Sequence, residues 1–108
     1  MAETFISPQQ ASPAPGEVKL YTCPASTSFV GSTLIVCNTA GTPTTLRTRI
    51  AVNDASVVTK QYIYYDAPIA ANTTVTLTVG ITLSAGDVIY VDAGASGVAF
   101  NLVGVEVT

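Results

Sequence analysis

Residues 45–53 read TLRTRIAVN, and their side chains alternate in character along the segment. In an extended chain successive side chains point to opposite sides, so every second residue shares a face. One face of this segment carries Leu46, Thr48, Ile50 and Val52, and the other carries Arg47, Arg49, Ala51 and Asn53. The pattern predicts a β-strand with one face towards a core and two arginines on the opposite face.

The same kind of pattern recurs along the rest of the chain. Valine and threonine are abundant in these segments and suit the pleated surface of a sheet, whereas no segment shows helical periodicity. We therefore expect an all-β fold, a single antiparallel two-layer β-sandwich of the jelly-roll or immunoglobulin-like kind, over residues 17–108. The further predicted strands are residues 17–23, 29–38, 60–66, 73–79 (ending at a Gly80 break), 87–92 and 97–107.

Residues 1–16 differ in composition from the sandwich. Pro8, Pro13, Pro15 and Gly16 interrupt any regular pattern, so this segment is predicted to be an extended, proline-rich N-terminal arm. Phe5 and Ile6 are its candidate anchors. The hypothesis is that the arm lies across an adjacent subunit, and contact with its own subunit is the alternative that the sequence leaves open.

Composition argues against catalysis and against nucleic-acid binding. The 108 residues include no histidine and no tryptophan, which removes the commonest general base and metal ligand. The net charge is −3 with only four Lys and Arg residues, so no phosphate-binding surface is expected. The expectation is a protein that is not an enzyme and has no cofactor and no metal.

Three carboxylates of the later strands are the candidates for a metal or catalytic site. Asp66, Asp87 and Asp92 come from separate segments, whereas a Ca²⁺ site draws several oxygens from one loop. Asp87 follows Gly86, which suits a turn where the carboxylate accepts hydrogen bonds from backbone amides. A structural turn is therefore favoured at Asp87 over a Ca²⁺ or catalytic role.

The N-terminus and the length of the apolar runs indicate the compartment in which the protein is made. The N-terminus has no basic start and no apolar core of secretory length, and no run reaches the 18 residues of a membrane span. Synthesis in the cytosol and no membrane association are expected.

If residues 18–23 and 29–37 form a hairpin, Cys23 and Cys37 are too far apart for a disulfide; strands in opposite sheets leave a bridge possible. Free thiols are favoured.

Two side-chain groups are candidate partner-binding residues. Arg47 and Arg49 lie side by side on one face, either as a solvated face or as a docking site for an acidic neighbour. Tyr62 and Tyr64 are predicted to share one face of a strand, with Ile63 and Tyr65 on the other. Core or interface packing is the favoured role of the tyrosines, and stacking on sugars is the alternative.

Two runs of the sequence resemble a known group of proteins. LYTCPASTSFVGSTLIVCNTAGTPTTLRTRIAV (20–52) is similar to the "L-Y-T-x-P-A … I-x-V-x-N" opening of small β-sandwich structural proteins of tailed bacteriophages. The run from Ile63 to Thr108 resembles their second half, with "P-I-x-A-N-x-T" and "G-I-x-L-x-A-G-D-x-I-x-V". The resemblance covers about residues 18–108 and rests on turn and core patterns.

The resemblance implies a virion component located in the phage particle. We expect a capsid decoration (cement) protein that binds the major capsid protein or other virion subunits and is a homo-oligomer, with a trimer as the first expectation. Two alternatives stay open: a low-copy tail, neck or fibre component, and a carbohydrate-binding β-sandwich module that uses Tyr62–Tyr65.

Overall fold

Strand β3 (Ser28–Asn38) shows how alternation in the sequence becomes a two-layer fold. In the computed structural model, which describes residues 3–11 and 16–108, Phe29, Leu34 and Val36 are buried between two sheets. Their neighbours Val30 and Ile35 lie on the outer face, exposed and half-buried respectively. Burial of one face against a second sheet is what makes such a strand stable in water.

Eight strands and two short 3-10 turns make up the regular structure of the described residues. The seven strands predicted from the sequence are confirmed, with shifted ends. β4 stops at Ala51 because Asn53 adopts a left-handed backbone (φ 54°), so Val52 is exposed rather than buried. The strands are β1 (Glu3–Ala11), β2 (Gly16–Thr22), β3, β4 (Thr44–Ala51), β5 (Tyr62–Ile69), β6 (Thr73–Leu83), β7 (Val88–Ala93) and β8 (Val98–Val107), and the 3-10 turns are Val52–Asp54 and Thr59–Gln61.

Gly80 does not end its strand, contrary to the prediction from the sequence. It takes a left-handed backbone (φ 53°), which a glycine adopts without strain, and β6 continues through it to Leu83. The pairing with β3 shifts register between Gly31 and Thr33, so the irregularity lies inside a continuous strand.

The strand order identifies the sandwich as a jelly roll. Sheet 1 has the order β1-β8-β3-β6 and sheet 2 the order β2-β7-β4-β5, and every pairing is antiparallel. Among the described strands, only β4 and β5 are consecutive members of one sheet; every other pair of consecutive strands lies in opposite sheets. This eight-stranded arrangement differs from the immunoglobulin order, so it decides between the two sandwich types that the sequence left open.

The core lies between the sheets and is mainly apolar. Tyr21 of sheet 2 packs against Phe29 of sheet 1, with 4.5 Å between the ring centroids. The hydroxyl of Tyr21 donates a 2.5 Å hydrogen bond to Glu106, which satisfies the polar end of the ring. The largest fully buried side chains are Phe29, Phe100, Leu34, Leu46, Ile69, Leu83, Ile89, Leu102, Val36, Val88, Val91 and Val98.

The N-terminal segment is extended, as predicted, but much of it belongs to the sandwich. Glu3–Ala11 pair with β8 of the same chain and form an edge strand of sheet 1. The expectation of an arm outside the sandwich over 1–16 is therefore wrong for these residues, because the backbone groups of β8 pair with this extended segment. Residues 1–2 and 12–15 lie outside the described ranges. Contact with a neighbouring subunit stays a prediction.

Candidate interaction surfaces

The three candidate carboxylates do not form one site: Asp66 and Asp92 line a cleft on the outer face of sheet 2, and Asp87 lies in a turn away from it. Asp87 is buried in the turn before β7, where its two carboxylate oxygens accept hydrogen bonds from the backbone amides of Asn53 and Ser84, each at 3.0 Å. The predicted structural role in a turn is confirmed. Among residues 3–11 and 16–108, no group of three or more His, Cys, Asp or Glu side chains is arranged to hold a metal ion.

Arg47 lies on the outer face of sheet 2, as predicted, and is paired within its own chain. Its Nε donates to Asp66 at 2.6 Å and its Nη2 donates to the second carboxylate oxygen at 3.2 Å. The guanidinium also stacks on Tyr65, 4.1 Å from the ring centroid. The guanidinium holds the pKa of the Asp66 carboxyl below its ordinary value, chiefly through the hydrogen bond.

Arg49 lies on the same face but is buried, unlike the exposed arginine that the sequence predicts. Glu17 of β2 accepts from its Nε at 2.9 Å and from its Nη2 at 2.7 Å, and Gln61 accepts from its Nη1 at 2.7 Å. The guanidinium lies 3.9 Å from the centroid of the Tyr90 ring. An acidic partner would therefore compete with the chain's own Glu17.

A second polar network adjoins Arg49. Lys19 of β2 donates to Asp54 at 3.1 Å, and the Tyr90 hydroxyl donates to the other oxygen of that carboxylate. These two hydrogen bonds, that of Tyr90 foremost, lower the pKa of Asp54. No pattern in the sequence marks Glu17, Lys19, Asp54 and Tyr90 as one group, because these residues come from segments distant in sequence.

The tyrosines of β5 do not share faces as a regular strand would require. Pairing with β4 shifts register twice, once between Leu46 and Thr48 and again between Thr48 and Arg49. Each extra residue turns the following side chain to the other side of the sheet. Tyr64 consequently packs against the core, and Tyr62 lies on the outer face edge-on to Tyr65, with ring centroids 4.9 Å apart. The predicted pairing of Tyr62 with Tyr64 is wrong.

A polar cleft opens beside Arg47 on this face. Its volume is about 300 Å³, and Asp66 and Asp92 contribute carboxylates to its lining. Asp92 is opposite Arg47 in the β4–β7 register, and within the described ranges no hydrogen bond or ion pair engages its carboxylate. The remaining lining residues are Gly16, Thr45, Ala93 and Gly94.

The outer face of sheet 1 has a different chemistry. On β3, β6 and β8 its side chains are aliphatic, threonine, serine, cysteine or asparagine, and none is charged. Glu106, the one charged residue of these three strands, instead joins Tyr21 between the sheets. Val30 is the most exposed large apolar residue there, with 47% of its surface accessible. We refer to this surface of β3, β6 and β8 as the uncharged face.

Both cysteines are free thiols, as expected, although the hairpin that was expected to keep them apart is absent. β2 and β3 belong to opposite sheets, so the hairpin does not exist. Cys23 lies in the β2–β3 connection, where its buried thiol donates to the carbonyl oxygen of Thr27 at 3.3 Å, while Cys37 lies near the far end of β3. Burial raises the pKa of the Cys23 thiol, which keeps it protonated.

The two remaining candidates, Phe5 and Ile6, lie on β1. Their backbones are opposite Val105 and Gly104 of β8. Their side chains lie outside the described part of the structure, so their role as anchors stays a prediction. No helix among the described residues is long and apolar enough to span a membrane.

Comparison with known proteins shows no family for this chain. No protein-family profile and no curated protein matches the sequence. One solved structure, a pentameric capsid protein isolated from metagenomic phage sequences, is similar over 95% of this chain at 12% identity, with a TM-score of 0.44. The chain spans 62% of the length of that protein. At this distance the similarity carries no argument about function.

Proposed function

We propose that this chain is a non-enzymatic structural protein of a bacteriophage virion, and specifically a capsid decoration protein that binds the coat lattice. The observation that carries the proposal is the division of the jelly roll into two unlike outer faces. The arginines of sheet 2 form ion pairs within the chain, with Glu17 and Asp66. The uncharged face of sheet 1 has no charged side chain that would have to lose its hydration on binding. The sequence resemblance to small phage structural proteins supports the same role.

The uncharged face is the proposed contact with the shell. Burying threonine and aliphatic side chains costs little desolvation compared with burying charges, and removing apolar surface from water favours association. Binding to the assembled shell and not to free coat subunits stabilises the shell by mass action. The protein thus acts as a rigid clamp, without chemistry at any side chain.

Copy number in purified particles tests the location. A ratio to the major coat protein near one, or a simple fraction of it, is expected for a decoration protein. A handful of copies per particle would move the protein to the tail, neck or a fibre, and absence from particles would reject a virion role.

A pair of valine variants tests the surface. Val30 lies on the uncharged face, and Val57, also exposed, lies in the loop after the first 3-10 turn. Val30→Lys should weaken attachment to particles at least roughly tenfold, because the lysine must be desolvated on binding, and Val57→Lys should leave attachment unchanged. Equal attachment of both variants would exclude the uncharged face as the contact.

Glycan binding is a second candidate, favoured by the exposed ring of Tyr65 next to the polar cleft. Tyr65 has 58% of its surface accessible, and Asp66 and Asp92 supply acceptors for sugar hydroxyls. A glycan array tests this: binding that is lost in both Tyr65→Ala and Asp92→Asn supports it, and an array without signal rejects it.

A further inference from the structure

Strand β6 leaves one side of its backbone open. It is the last strand of sheet 1 and, within the described part of the chain, it pairs with β3 alone. The half of it that precedes Gly80 is regularly paired from Thr73 to Thr78. Every second amide and carbonyl of this half therefore faces away from β3, available to another strand.

The other three sheet edges carry features that discourage pairing with a further strand. β2 has Glu17, Lys19 and a register shift, and β5 has Asp66, Pro68 and two register shifts. β1 contains Pro8 and an irregularity between Ile6 and Gln9. Charges, prolines and bulges are the devices by which proteins protect sheet edges. β6 has a register shift as well, but it lies at Gly80, and the segment Thr73–Thr78 before it has no charge, proline or bulge.

The core-facing side chains of β6 are only partly covered by the rest of the chain. Val75 and Leu77 face the core, yet both stay partly exposed, whereas Val36 and Leu34 opposite them on β3 are fully buried. Thr74, Thr76 and Thr78 on the outer side are exposed. A strand added beside β6 would cover the two apolar side chains as well as the backbone.

We propose that β6 pairs with β6 of a second copy of this chain, antiparallel and across a two-fold axis. An antiparallel contact across a two-fold axis places the same segment of the two copies side by side. Like charges would then face one another, but Thr73–Thr78 has no charged residue. Threonines that face one another across neighbouring strands stabilise such a pair. The contact joins both copies of sheet 1 into one continuous sheet. It uses the open edge of each copy and so stops at a dimer, in place of the trimer that was the first expectation from the resemblance. The inference goes beyond the proposed function and does not depend on it.

Sedimentation equilibrium over a wide range of protein concentration tests the pairing, with Thr76→Lys as the variant. The unmodified chain should show a reversible dimer of the 11.1 kDa protomer. Two lysines brought together beside the two-fold axis should raise the dimer dissociation constant at least roughly tenfold. Thr22→Lys adds the same charge at an exposed threonine of β2 and should leave dimerisation unchanged. Circular dichroism establishes that both variants are folded.

Amide hydrogen exchange provides a second readout at the strand itself. In a monomer, protection along Thr73–Thr78 should alternate, because only the amides that face β3 have acceptors. In the dimer the intervening amides should also be protected, and Thr76→Lys should restore the alternation. A chain that stays monomeric, a trimer, or a dimer unaffected by Thr76→Lys would each overturn the proposal, as would fast exchange of the intervening amides in the dimer.

Discussion

At the scale of single residues, the two arginines of β4 show how much a neighbouring strand changes the meaning of a sequence pattern. Both point away from the core, as alternation requires. The side chain of Arg49 nevertheless has only 7% of its surface exposed, since Glu17, Gln61 and the Tyr90 ring surround it, whereas 36% of Arg47 remains accessible. Burial decides what each ion pair contributes, because solvent screens the exposed pair.

Replacing the two arginines by methionine should separate these contributions. Arg49→Met removes the donors of the Glu17 carboxylate and one of the two donors to the Gln61 side-chain oxygen, and should lower the free energy of unfolding by about 2 kcal/mol. Arg47→Met is the matched control and should cost less than about 1 kcal/mol, as expected of an exposed pair. Urea unfolding measures both, and equal losses would contradict the assigned role of burial.

The carboxylates of Asp54 and Asp66 predict a dependence of stability on pH. Hydrogen bonds from Tyr90 and Lys19 to Asp54, and from Arg47 to Asp66, lower both pKa values in the folded protein below the ordinary 3.8. The contribution of these two carboxylates to the free energy of unfolding is therefore complete above pH 3.8. It is lost as the pH falls through their lowered pKa values in the folded protein.

A double Asp54→Asn, Asp66→Asn variant should lose less stability on acidification than the unmodified chain. Urea midpoints measured from neutral pH to about pH 2 give the comparison. Because both carboxylates are exposed, the difference between the two proteins should shrink at high salt. Identical acid profiles at low salt would contradict the prediction.

At the scale of elements, β8 fits beside β3 only because Gly104 has no side chain. Gly104 is opposite Gly31 and faces inward. A Cβ atom there would overlap the Phe29 ring and the carbonyl oxygen of Val30. Close packing in a core leaves no room for such an atom without movement of the ring or the backbone.

Gly104→Ala should accordingly lower the free energy of unfolding by about 1–3 kcal/mol. Gly41→Ala is the control, because no atom lies within 4 Å of the Cβ position in that turn. Thermal and urea unfolding of the two variants measure the effect. A Gly104→Ala protein as stable as the control would show that the ring of Phe29 moves aside freely.

At the scale of the whole molecule, the N-terminal strand closes one side of sheet 1. Deletion of residues 2–15 removes β1 and opens the edge of β8 along its pairing with Glu3–Ala11. The shortened chain should remain folded through its other seven strands but unfold at a lower temperature and aggregate more readily.

Addition of a peptide of residues 1–15 should restore the melting temperature of the shortened chain, because an extended peptide completes an open sheet edge. A scrambled peptide of the same composition is the control. An unchanged melting temperature after the deletion would mean that β1 adds nothing to the stability of the domain. Loss of particle attachment on deletion, with attachment restored by the peptide, would extend its role to assembly.

The sequence by itself determined the local features of this protein. Alternation marked seven strands, and Gly86-Asp87 marked a turn in which the carboxylate caps backbone amides. Each of these depends on interactions between residues close in the chain, or on the tendency of an apolar face to leave water. The all-β sandwich follows from the strands, since every one of them has an apolar face to bury.

Only the tertiary structure decided which strands are neighbours. The jelly-roll order, the burial of Arg49 by Glu17, the rotation of Tyr62 away from Tyr64 and the pairing of β1 with β8 all depend on contacts between segments far apart in sequence. Alternation gives a strand two faces but does not specify what lies beside it or where a bulge interrupts it. The pairing in space, and with it the open edge of β6, follows from how all eight strands together satisfy their backbones and their core.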